Sequence, residues 1–226
     1  MATTTPALAA YTINGDGSVT FDNTAGSNTV NVTYNGLGGD PKALTPGLSA
    51  YLTLTLDSVL NNVFTFSYTL QNTSTVAGTR VSGLGFDVQP DAIAVSAGAG
   101  SVFDQAQLGG NFASVGAETC FNGGPGACPE SNPANSVLFG ATGSGTLSFT
   151  LGGAPGQTSI SLSNFLDRYQ GFSTTNVNQA AVTSAIGVGT PGAVPEPATW
   201  AMMLLGFGGM GMAMRRSRKP ALAQIA

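Results

Sequence analysis

Histidine is absent from this chain of 226 residues, and charged side chains make up only 8% of it. The first absence removes Ser-His-Asp hydrolysis and most general-base schemes at neutral pH, where imidazole is the ordinary proton acceptor. It also leaves metal chemistry a poor donor set, since two thiols without an imidazole rarely complete a site. Basic residues are scarce as well. Ahead of Val194 stand ten acids against Lys42, Arg80 and Arg168, so this body carries a net charge of −7. Nucleic-acid binding needs a basic stripe to neutralise phosphates, and the body has none. The sequence therefore assigns no catalytic residue, no metal ligand and no cofactor.

Gly, Ser, Thr and Asn take the place of charge on the surface. Such residues favour turns and strands over helices. Period-two alternation recurs at Val19 and Phe21, at Val30, Val32 and Tyr34, and at Leu52, Leu54 and Leu56. Phe64, Phe66, Tyr68 and Leu70 form the clearest run, with Asn61-Asn62 as turn chemistry just before it, which predicts an antiparallel pair. Further runs lie at Leu84–Val88, Ile93–Val95, Leu147–Leu151 and Ile160–Leu162. Turn clusters between them predict an all-β fold, an antiparallel β-sandwich of eight to ten strands over residues 10–170, Ig-like or jelly-roll-like. Residues 171–194 are small, polar and uncharged, the composition of a flexible linker.

The chemistry-bearing residues are few. Cys120 and Cys128 flank a glycine-rich loop that an oxidising compartment would close into a disulfide. Asp16, Asp87 and Asp91 are candidates for calcium, but no full D-x-D-x-D-G loop frames them. Paired acids such as Asp87 and Asp91 would also suit glycoside cleavage, against the plainer reading as turn and loop residues. Arg168 and Tyr169 are the one cluster mixing charge and aromatic character late in the domain. They are expected to close it, Arg168 pairing with an acid and Tyr169 packing on the sheet.

At the C-terminus, Pro195-Glu196-Pro197 is followed by Trp200, an apolar run, and then Arg215, Arg216, Arg218 and Lys219. Two prolines around one residue cannot continue a helix or central strand, so Glu196 is held extended. Residues 198–214 are uncharged and span about 25 Å as a helix, at the short end for crossing a bilayer. The basic cluster would stop transfer on the cytoplasmic side, leaving 220–226 as a cytoplasmic tail. Met1 to Ala10 has no basic n-region or apolar h-region, yet Ala7-Leu8-Ala9 has the form of a cleavage site. Residues 1–9 are therefore expected to be the remnant of a longer signal peptide, with the mature chain starting near Ala10.

Pro195-Glu196-Pro197, then Trp200-Ala201, a glycine-rich apolar run and an Arg-rich end resemble the PEP-CTERM sorting signal of Gram-negative bacteria. The form is its Pro-Glu-Pro-x-x-Trp-Ala variant, and the resemblance covers about 25 residues, placed at 195–219. It implies processing by exosortase, a membrane protease or transpeptidase, with transient residence in the bilayer. It further implies delivery to the cell surface or an exopolysaccharide-associated matrix. In that reading Pro195, Glu196, Pro197 and Trp200 are recognised as substrate and catalyse nothing. Leu52 to Ser74, with Arg168-Tyr169-Gln170 and the two cysteines, is similar to the cistern group of PEP-CTERM proteins, which brings no activity with it. The resulting expectation is a structural, non-enzymatic surface or biofilm protein, with a carbohydrate-binding module as the alternative and a glycosidase behind that.

Overall fold

The computed structural model describes residues 11–23, 28–40, 42–112, 114–124, 128–129 and 135–192, together with Phe207. Ala9–Val194 form one compact unit, and every strand lies within it. The strands are β1 (Tyr11–Ile13), β2 (Val19–Asp22), β3 (Thr29–Gly38), β4 (Ala43–Leu60), β5 (Val63–Asn72), β6 (Arg80–Gln89) and β7 (Ala92–Ala97). They continue as β8 (Gln105–Phe112), β9 (Val115–Asn122), β10 (Val137–Leu138), β11 (Thr142–Leu151) and β12 (Ser159–Gln170). Three more follow: β13 (Thr174–Thr175), β14 (Ala181–Val182) and β15 (Ala185–Gly192).

Hydrogen bonding joins thirteen of these into one antiparallel sheet, ordered β7-β11-β5-β4-β3-β15-β12-β6-β9-β8 with β1, β2 and β10 added at its margins. The fold is all-β, and the sheet nearly closes, since its two end strands β7 and β8 pack against each other. Alternation sends one set of side chains inward. The β5 set Phe64, Phe66, Tyr68 and Leu70 is buried throughout, as are Leu52 and Leu54 on β4 beside it and Val32 on β3 beyond. Phe149 meets Phe66, Phe86 and Phe121 edge-on with ring centroids 5.5 to 6.0 Å apart. These T-shaped contacts join β5 and β11 to β6 and β9 across the core.

The expected β4–β5 pair is present, in register from Ala50 opposite Asn72 to Leu60 opposite Val63. Its turn is Asn61-Asn62, with φ of 52° and 63°. Two left-handed residues match the turn to the right-handed twist of the strands, and asparagine tolerates that conformation. Asn62 also holds the neighbouring 154–157 segment. Its Oδ1 accepts the N–H groups of Gly156 and Gln157 at 2.9 Å, and its Nδ2 donates to the Ala154 carbonyl at 3.0 Å.

The linker expected at 171–194 is corrected. This stretch contains β13, β14 and β15, and β15 lies between β3 and β12 in the middle of the sheet. From Ala185 to Val188 the strand is hydrogen-bonded on both edges. Pro191 is accommodated because β15 pairs with β12 only from Ala185 to Val188, so beyond Val188 it pairs with β3 alone. The β-domain therefore runs past 170 to Gly192. The expected spanning helix, 198–214, lies outside the described residues apart from Phe207. Among the described residues no helix is long and apolar enough to cross a membrane.

Candidate functional site

The acids singled out from sequence are engaged by the fold. Asp16 Oδ1 accepts the Ser18 N–H at 2.9 Å and the Ser18 hydroxyl at 2.7 Å, closing the β1–β2 turn. These bonds hold its carboxyl below the usual range. Asp87 and Glu118 exchange bonds across β6 and β9. Asp87 Oδ1 accepts the Glu118 N–H at 2.9 Å, and Glu118 Oε2 accepts the Val88 N–H at 2.7 Å. Asp91 is exposed just past β6, lining a shallow groove with Gln89, Ile93 and Gln157. Among the described residues no group of three or more Cys, Asp or Glu side chains could hold a metal ion.

Cys120 and Cys128 are joined in a disulfide with Cα atoms 6.0 Å apart. Cys120 lies on β9, and the Cys128 carbonyl accepts the Asn111 N–H of β8 at 3.1 Å, so the bridge ties the loop back to both strands. Around it Phe112, Ala117, Leu166 and Ile186 form a second small core on the outer face of the sheet. Glycines make the room. A Cβ on Gly85 would sit 2.5 Å from the Phe112 ring, and one on Gly110 would sit 2.7 Å from the Cys120 Cβ.

Around Arg168 and Tyr169 the expectation is partly corrected. Arg168 points outward and its Nη2 donates to the Ser184 hydroxyl at 3.0 Å, with no acid beside it among the described residues. Tyr169 packs inward from the sheet and is fully buried in the main core. The residue that sequence reading passed over is Asp167, immediately before them on β12 and 0% exposed.

Asp167 lies opposite Gly187 of β15 and Leu84 of β6, facing the interior with Tyr34 and Tyr169. A Cβ on Gly187 would fall 1.9 Å from Asp167 Oδ1, and one on Gly189 would fall 2.8 Å from the Tyr34 ring. β15 thus presents a glycine notch into which the carboxyl and the two phenols fit. Burial pushes the Asp167 carboxyl well above its ordinary range. The Tyr169 hydroxyl and Gly187 N–H lie close enough to offset part of that shift. Neither reaches the carboxyl oxygens with the alignment of a hydrogen bond. Burial raises Tyr34 and Tyr169 too, and the neighbouring Asp167 adds to both shifts. A carboxyl in this setting is held neutral, as an acid rather than a base. It lies sealed in the core, where it can shape stability but meets no solute.

The sorting residues Pro195, Glu196, Pro197 and Trp200 and the basic residues Arg215, Arg216, Arg218 and Lys219 lie outside the described residues, as do 1–9. Phe207, in their midst, is helical and 60% exposed. No curated protein and no solved structure matches the chain. Residues 193–219 match the family described as the PEP-CTERM protein-sorting motif, a signal recognised by exosortase, so this is an exported protein whose route includes a membrane-anchored step.

Proposed function

We propose that this chain is a structural protein of the cell surface or extracellular matrix, released there by exosortase and associated with exopolysaccharide. The observation that carries the reading is the sorting motif at 193–219, joined to a β-domain with few and mostly acidic charges. Pro195-Glu196-Pro197 with Trp200-Ala201 is the Pro-Glu-Pro-x-x-Trp-Ala form of the signal, and residues 198–214 serve as a temporary anchor. The body is read as a member of the cistern group. A disulfide on the outer face suits an oxidising destination. The body acts without catalysis in this reading. Asp87 and Glu118 spend their carboxylates on backbone N–H groups, which favours a structural role for them over glycoside cleavage.

The test is fractionation of cells carrying an epitope in the β-domain. With the natural tail, the epitope is expected outside the inner membrane. With Glu196→Ala or Trp200→Ala it is expected to stay in the inner-membrane fraction. An epitope that leaves the membrane equally in all three chains contradicts exosortase sorting.

A further inference from the structure

The outer face of β15, β3, β4, β5 and β11 is a grid of hydroxyl and amide side chains. One row runs across all five strands in register: Thr190, Thr33, Tyr51, Gln71 and Thr142. Neighbouring strands lie roughly 4.8 Å apart, so such a row repeats polar groups at a fixed interval. Adjacent rows hold themselves in place. The Thr53 hydroxyl donates to Asn31 Oδ1 at 3.0 Å, Thr29 and Thr55 share a hydrogen bond of 2.9 Å, and Thr65 and Ser148 share one of 3.0 Å. Asp57 is the only charged residue in these five strands.

Threonine's preference for strands accounts for its presence here. It does not account for the missing Lys and Glu, which normally share exposed strand positions and keep a surface soluble. We propose that this face binds a neutral polysaccharide chain. Hydroxyls and amides both donate and accept, matching sugar hydroxyls in either sense. The Tyr51 ring, 37% exposed in the first row, offers an apolar platform for the C–H face of a sugar. Cross-strand hydrogen bonds fix the side chains of the rows alongside beforehand, which lowers the ordering cost of binding there. A body carrying −7 repels polyanions, so uronate-rich chains and nucleic acids are the wrong partners. A protein partner would want a broad apolar centre with Arg anchors, and this face carries no Arg and only scattered apolar groups such as Tyr51 and Val188.

The inference rests on the matrix reading above, but it is tested apart from it. The full-length chain, in mild detergent, is run by affinity electrophoresis through gels containing mannan, dextran, a soluble β-glucan or alginate. At least one neutral polymer is expected to retard it, and alginate is not. Tyr51→Ala and Thr33→Lys are each expected to weaken retardation about tenfold, while Gln107→Lys on β8, off this face, leaves it unchanged. Thermal melts identify any variant that fails to fold, and the other variant then decides. No retardation by any neutral polymer overturns the proposal. So does retardation that both folded variants retain, equal retardation by alginate, or a change in oligomeric state in place of glycan binding. A chain that exosortase trims normally but that binds no neutral polymer ends this inference and leaves the sorting reading standing.

Discussion

At the residue scale the controlling feature is Asp167, an acid sealed among apolar groups with its neighbours Tyr34 and Tyr169. Its sign with pH is fixed. Below its ordinary value of 3.8, folded and unfolded chains both hold the proton. As pH rises past that value the unfolded chain ionises while the folded chain cannot, so stability falls until the buried carboxyl itself ionises. The slope approaches about 1.4 kcal/mol per pH unit for one proton. Urea unfolding should show the wild type losing stability as pH rises above 4, with Asp167→Asn flattening that loss. A wild type equally stable across the range would contradict a neutral, buried Asp167. Gly187→Ala tests the notch directly, since its new methyl would fall 1.9 Å from the Asp167 carboxyl. The expected cost is about 2 kcal/mol or more, read as a lower denaturation midpoint.

At the scale of elements, two connections do more than join strands. The Cys120–Cys128 loop closes the second small core, and replacing both cysteines with serine should cost about 2–3 kcal/mol on the chain-entropy model. Reducing agent should lower the melting temperature of the wild type and leave the double variant unmoved. Asn62 is the second. Its replacement by alanine removes three hydrogen bonds and places a non-glycine, non-asparagine residue at φ 63°, for an expected loss of about 2 kcal/mol. The same elements show what the sequence made legible. Runs with clean alternation, such as Phe64 to Leu70, fall where period two predicts. β15 was hidden because its inward positions are Gly187 and Gly189, whose buried role is to be small and so leaves no apolar signal. β8 and β9 were hidden for a related reason: Gly109, Gly110 and Gly116 break the alternation that would have marked them. Asp167 was missed because an acid in a strand reads as solvent-facing, and only its register opposite Gly187 reveals otherwise.

On the scale of the whole molecule, one nearly closed sheet with few charges is joined to a C-terminal signal for export. The body and the signal were unequally readable. Pro195-Glu196-Pro197, Trp200 and the basic end carry their meaning in local order, so they were recognisable from sequence. The body's binding character depends on which side chains five strands bring into one row, and strand order is not written locally. The proposed division of labour is that the tail is a signal that is removed and the β-domain is what is delivered. Intact-mass spectrometry of the mature protein, from cells with and without a working exosortase, tests it most directly. A C-terminus near Pro195 to Pro197 is expected when exosortase is present, and a chain ending at Ala226 when it is absent. A chain still ending at Ala226 in cells with active exosortase would contradict it.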